Sequence, residues 1–268
     1  MPEESANSRY RSWTSDMIKL IHLTKTYKEL RAVDDLNLEV KEGSLFGFLG
    51  PNGAGKTTTI KMMAGVLKPT SGRIIINGMD LAEEPEKVKQ CIGFIPDRPY
   101  LYEKLTGMEF MRFIAGLYGM DHASSLQIRI RDLLEMFDLT HWRDELIESY
   151  SHGMKQRLVM CSALLPQPRV LIVDEPMVGL DPRGARLVKD IFMELSRKKT
   201  TLFMSTHSLE VAAEVCQEIA IIQAGKIIAR GSSEDLKKTA GVDGSLETVF
   251  LKLTEGKRIA HATPLSAS

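Results

Sequence analysis

The period of apolar and polar positions changes several times along the chain, and each change predicts an element. Ile18 to Leu23 reads as a strand, and Leu36, Leu38 and Val40 then alternate with polar residues as a half-buried strand does. Leu45 to Leu49 is a short apolar run that ends at a glycine-rich loop, after which Lys56 to Ala64 reads as a helix closed by Gly65, Pro69 and Gly72. Arg73 to Ile76 is a further strand before an Asn77-Gly78 turn, and Ile92 to Ile95 another.

From about 106 to 165 the texture is helical, with Leu126, Ile130, Leu133, Leu134 and Phe137 on one face. Strands return at Val170 to Val173, Thr201 to Met204 and Ile219 to Ile222, with helices between. Gln223 to Lys226 reads as a hairpin turn before Ile227 to Ala229. Strand and helix alternating in this way predict an α/β fold with a mostly parallel sheet plus antiparallel strands, and an α-helical subdomain inserted at about 98–165. Residues 1–16 are expected to form a mobile tail, 17–236 the main domain, and 237–268 an extension with a polar end.

Composition narrows the class. The 268 residues are 43% hydrophobic and 6% aromatic, the range of an ordinary globular chain. Lys plus Arg number 35 and Asp plus Glu number 35, so the formal net charge is zero and no global basic character argues for a nucleic-acid partner. The three cysteines, Cys91, Cys161 and Cys216, are far apart and form no CxxC pair, so they are expected to be reduced core residues of a cytosolic protein. The first residues lack the apolar stretch of a secretory signal. No run of 18 apolar residues occurs, so no membrane-spanning helix is expected.

The chemistry begins at the glycine-rich loop. Gly50, Pro51, Asn52, Gly53, Ala54, Gly55, Lys56 and Thr57, followed by Thr58, fit GxxxxGK[ST] between a predicted strand and a predicted helix. Glycines let the backbone N–H groups turn inward around a phosphate chain, and the helix N-terminus adds partial positive charge. Lys56 is the candidate for the β- and γ-phosphates and Thr57 for Mg²⁺. The apolar run Val170 to Val173 ends in Asp174 and Glu175, two carboxylates at the strand edge where open α/β sheets bind ligands. Asp174 is the candidate for the metal, and Glu175 for the general base that activates water. These motifs describe a P-loop NTPase core and leave kinase, GTPase and ATPase motor or transporter open.

Further motifs follow in order. Tyr150-Ser151-His152-Gly153-Met154-Lys155-Gln156-Arg157 resembles the signature LSGGQ-[KR]-Q-R, and Val178-Gly179-Leu180-Asp181 resembles a D-loop. Ser205-Thr206-His207 resembles the switch-histidine segment, and Tyr27 the aromatic residue that stacks on adenine. Over about residues 17–236 the chain thus resembles the ATP-binding subunits of ABC transporters. The resemblance implies that ATP and Mg²⁺ are bound, and that two ATPase subunits, identical or not, sandwich two ATP molecules. Ser151, Gly153 and Asp181 would act across that interface, and His207 would sense the γ-phosphate as part of the catalytic group. It further implies a separate integral membrane permease as partner, a peripheral location on the cytoplasmic side of the membrane, and no nucleic acid. For His207 the residues alone also allow a helix cap.

Two positions depart from the family pattern. Asp97 stands where the family carries the Q-loop glutamine; it can serve the metal region or be a turn acid beside Pro96. The signature reads SHGM, with His152 and Met154 in place of glycine and glutamine. Both departures, and the segment Ser245 to Thr254, resemble the bacterial ABC-two-type exporters. Tyr100, Leu101 and Tyr102 are candidates for a permease-facing surface or for core packing. The alternative function is a soluble ABC ATPase acting on DNA or ribosomes, a class that usually carries paired domains, coiled coils or zinc modules.

Overall fold

The structure, a computed structural model, describes residues 16–98, 100–120, 124–241 and 245–255. Strands β1 (Asp16–Tyr27), β2 (Leu30–Lys41), β3 (Leu45–Leu49), β4 (Ser71–Ile76), β5 (Met79–Asp80), β6 (Ile92–Ile95), β7 (Val170–Asp174), β8 (Thr201–Thr206), β9 (Glu218–Gln223) and β10 (Lys226–Gly231) form two sheets. β2, β1, β4 and β5 pair antiparallel in that order. The second sheet has the order β10-β9-β3-β8-β7-β6, parallel throughout except for the β9–β10 hairpin.

The patterning explains this division. Every residue of β3, β7 and β8 is buried, the continuous apolar texture of strands covered on both faces. β2 instead alternates from Leu36 to Val40, with one face buried and one in water. The core of the parallel sheet is built on Phe46, Phe48 and Phe203, all fully buried. The Phe46 and Phe203 rings stack at 5.6 Å between centroids, and Phe48 lies 5.3 Å from Phe203.

Helices α1 (Lys56–Met63), α2 (Pro85–Gln90), α3 (Gly107–Leu117), α4 (Ser124–Met136), α5 (His152–Leu164), α6 (Pro182–Arg197), α7 (Leu209–Val215), α8 (Ser233–Ala240) and α9 (Leu246–Glu255), with short 3-10 turns at Thr140–Trp142 and Ile147–Ser149, complete the elements of the described residues. The helical insertion holds α3, α4 and α5, with no strand among its described residues. α3 opens on a capping box: Glu109 N–H donates to the Thr106 hydroxyl at 3.2 Å, and Thr106 N–H to the Glu109 carboxylate at 2.8 Å. Leu126, Ile130, Leu133, Leu134 and Phe137 are buried together, as their spacing requires. α9 packs on α7 and α8 through buried Leu246 and Val249, with Phe250 and Leu253 partly buried beside them. Gln223 side-chain N–H donates to the Thr254 carbonyl at 3.0 Å and ties the end of α9 to β9.

Three sequence readings change in detail. Asp16, read as the end of the tail, begins β1; residues 1–15 lie outside the described residues. The sequence boundary at 236 falls inside α8, whose Leu236 is fully buried against the sheet side of the molecule. Of the cysteines only Cys161 is buried outright; Cys91 and Cys216 are intermediate, and all three are free thiols. Among the described residues no helix is long and apolar enough to cross a membrane.

Removing the central ring should show where stability resides. Phe203→Ala is expected to lower the unfolding free energy by about 3–5 kcal/mol, seen as a lower urea midpoint with an unchanged slope.

Candidate functional site

Three adjacent parallel strands end at one place. β3 leads into residues 50–55 and so into α1, β7 ends in Asp174, and β8 runs through Ser205 to Thr206. The loop is fixed from two sides. A Cβ on Gly50 would stand 2.4 Å from the Ile222 carbonyl, and one on Gly55, whose φ is +110°, 2.5 Å from the Ala32 carbonyl. Only glycine allows both approaches. The β9–β10 turn adds a clamp: Gly225 N–H donates to the Ala54 carbonyl at 2.9 Å, and Asp34 N–H to the Gly225 carbonyl at 2.9 Å. The loop is thereby pinned to both sheets. Asn52 and Gly53 at its tip face solvent, while Ala54, Gly55 and Lys56 are buried and Thr57 and Thr58 half-buried.

Lys56 has 6% of its surface exposed. Its ammonium donates to the Gly50 carbonyl at 2.7 Å and lies 3.7 Å from Glu175 Oε1. A lysine this deeply covered requires partners for its charge, and these supply them. Glu175 has a φ of +51°, a left-handed conformation that turns the chain sharply at the end of β7. Its other oxygen, Oε2, receives His207 N–H at 3.2 Å and stands 2.8 Å from His207 Nδ1. The candidate base is thus held between a lysine and a histidine. The cap of α7 is Ser208, whose hydroxyl accepts from Val211 N–H, so His207 is not the helix cap.

Asp174 is 2% exposed, and Ser205 donates its hydroxyl to Asp174 Oδ1. Burial pushes the Asp174 carboxyl above the ordinary range; hydrogen bonds from Ser205 and Thr57 oppose the rise, and the charges of Asp97 and Glu175 add to it. Thr57 is thereby a neighbour of Asp174, while Asp97, exposed after β6, reaches Asp174 only through its charge. Among the described residues no group of three His, Cys, Asp or Glu side chains makes a metal site by itself. The donors here are a threonine hydroxyl and carboxylates beside a phosphate cradle, hard oxygen ligands that suit Mg²⁺ shared with a phosphate chain.

The remaining predicted residues lie apart from this cluster. Tyr27 is 45% exposed near the tip of the β1–β2 hairpin, with the Lys25 ammonium 5.1 Å from its ring centre. Ser151 caps α5, accepting Met154 N–H at 3.3 Å, and Gly153 packs against Gly179 and Leu180. Asp181 caps α6, accepting Gly184 N–H at 2.9 Å. Two contributors were missed by the sequence reading. Ser205 carried a signal, a hydroxyl at the end of a strand beside the one that delivers Asp174. Gly225 carried none, because a hairpin turn does not announce which loop it touches.

A family model described as ABC transporter matches residues 33–178. The chain belongs to the ABC transporter ATP-binding family. This ABC chain is 38% identical over 225 residues to the bacitracin transport ATP-binding protein BcrA of Bacillus licheniformis, covering 84% of this chain and 72% of BcrA. It is 34% identical over 244 residues to the linearmycin resistance ATP-binding protein LnrL of Bacillus subtilis, covering 91% of this chain and 78% of LnrL. It is also 36% identical over 241 residues to the ABC transporter ATP-binding protein YbhF of Escherichia coli, covering 88% of this chain; the match spans only 41% of the length of YbhF.

A solved ATP-binding subunit of an ABC transporter superposes with a TM-score of 0.83 at 33% identity, covering 89% of this chain and 99% of that one. A dimeric post-hydrolysis cassette, MJ0796 bound to ADP and phosphate, gives 0.75 at 25% identity, with 81% of this chain and 98% of that one covered. Family membership implies ATP binding and hydrolysis for this ABC chain, and its α/β architecture is that of the solved cassettes.

Removing the Ser205 hydroxyl leaves buried Asp174 short of a donor. Ser205→Ala is expected to cost about 1–3 kcal/mol of stability in a thermal melt, the usual penalty for stripping a partner from a buried polar group.

Proposed function

We propose that this chain is the ATP-hydrolysing subunit of an exporter, working as a dimer that drives a separate membrane permease. The observation that carries the proposal is the meeting of Lys56, Glu175 and His207 at the ends of three parallel strands, beside a glycine loop clamped by both sheets. The main domain, read from the sequence as 17–236, would run on to the end of α8, with the rest as an extension that packs on it through α9.

In this reading each residue of the site takes one role. The loop N–H groups that follow Pro51, as far as Thr58, cradle the phosphates, and Lys56 neutralises the charge on the β- and γ-groups. Tyr27 offers its exposed face to adenine. Thr57 and Asp174, with Asp97 as the third candidate, would hold Mg²⁺ or its water, which would supply positive charge against the phosphate oxygens. Glu175 orients and deprotonates the attacking water. The His207 contacts keep its carboxylate aimed at the end of the phosphate cradle.

Ser151 and Gly153, at the N-terminus of the 13-residue α5, form an anion site suited to the γ-phosphate held by a second subunit. Asp181 borders that interface. ATP then binds the closed dimer preferentially, and loss of the γ-phosphate opens it.

The exporter reading rests on relatives whose names concern bacitracin transport and linearmycin resistance. For the permease, the segment after Asp97 offers a surface: Tyr100 is 80% and Tyr102 61% exposed, and the Tyr102 ring meets Phe113 edge-on at 5.1 Å. Leu101 alone of the three packs on the core. Exposed aromatic rings gathered in this way suit a protein interface. The chain's location would be peripheral, on the cytoplasmic face of the membrane, and it would have no nucleic-acid partner.

Glu175→Gln should retain ATP affinity and lose at least about a hundredfold in kcat, because it keeps the shape and removes the base. Gel filtration of that variant with ATP should reveal a stable dimer that ADP does not support. An unchanged hydrolysis rate would remove Glu175 from the base role. Lys56→Ala should weaken nucleotide binding itself by about tenfold or more, since it deletes a charge-assisted contact to phosphate; calorimetric titration with ATP checks this.

A further inference from the structure

His152 stands where the signature pattern has a glycine, and its ring is not idle. A Cβ built on Gly179 would lie 2.1 Å from His152 Cδ2 and 2.6 Å from Nε2, so the imidazole edge fills the space that a side chain at 179 would need. Gly179 has a φ of +79°, which a side chain disfavours independently. A Cβ on the neighbouring Gly153 would stand 3.3 Å from the Gly179 carbonyl. The start of α5 and the 178–181 turn are therefore in direct contact.

That turn leads back to the candidate base. Val178 N–H donates to the Glu175 carbonyl at 3.2 Å and Leu180 N–H to the Met177 carbonyl at 3.3 Å, so the residues between Glu175 and Gly179 are short-coupled. Left-handed conformations at Glu175 and Gly179 mark the two ends of the segment. A push on Gly179 from the α5 side acts on a hydrogen-bonded turn whose other end carries the carboxylate.

We propose that His152 is a positioning residue: through Gly179 it ties the signature turn to the Glu175 segment, so that contact of α5 with γ-phosphate aligns the base. This rests on the reading that hydrolysis takes place in the closed dimer. The imidazole acts by shape. It fills a notch and makes two loops move as one body, the way packed side chains transmit small displacements.

The test is a mutant cycle on steady-state ATP hydrolysis by the full chain. His152→Gly should lower kcat by about tenfold, the effect of a loosened alignment, with ATP affinity in the Glu175→Gln background unchanged within about twofold. His152→Phe, which keeps a ring and removes both nitrogens, should retain most of kcat. Gly179→Ala should lower kcat, and His152→Gly/Gly179→Ala should be no slower than the slower single variant, because the two residues share one contact.

A double variant with multiplied losses would overturn the proposal, as would wild-type kcat in His152→Gly or an equal loss in His152→Phe. If Gly179→Ala fails to fold, the Gly and Phe variants at 152 still decide. Gel filtration of Glu175→Gln with ATP separates the two layers. No dimer there removes the closed-dimer reading and this inference together, whereas a dimer with multiplied losses removes only the role of His152.

Discussion

The geometry of the site depends on how closely residues 50–55 are pressed between β2 and β9. Backbone carbonyls at Ala32 and Ile222 stand only 2.5 and 2.4 Å from where a Cβ on Gly55 and on Gly50 would lie, and the Gly225 N–H holds the loop from the side. The loop cannot spread without breaking those contacts. Its N–H groups are therefore oriented before any phosphate arrives, which lowers the cost of ordering on binding. The fully buried β3 supplies one anchor and α1 the other.

Charge is arranged on the same principle. Over the chain the formal charges cancel, yet locally Lys56, Glu175 and Asp174 share one partly dry volume, to which exposed Asp97 adds its charge. A buried cation and carboxylates in that volume interact more strongly than on the surface, and each must be satisfied. Ser205 and His207 do part of that work from β8 and its exit. The strand that carries neither of the two carboxylates thus fixes both, and this is why β7 and β8 must be neighbours in the sheet.

A second assembly lies outside the nucleotide cluster. The signature turn, the D-loop turn and the exposed aromatic residues of the helical insertion are held by caps and small contacts: Ser151 on α5, Asp181 on α6, Thr106 and Glu109 on α3. Capped helix ends fix direction at modest energetic cost and leave the flanking surface available for partners. The ring of His152 against Gly179 belongs to this set, and it links the set to Glu175.

Much of this was legible in the sequence, for a physical reason. The phosphate loop and the strand ending in Asp174-Glu175 are local: strand, turn and helix follow within one stretch, so spacing alone encodes them. The same holds for the strand textures, where burial on both faces writes continuous apolar runs at β3, β7 and β8. The contacts between segments far apart in the chain were not legible. Ser205 on Asp174, Gly225 on Ala54 and His152 on Gly179 are pairs set by strand order and by the crossing of turns. A sequence reports which side chain each residue carries and its local period; which carbonyl or ring it meets is decided by packing, because that meeting exists only once the sheets have formed.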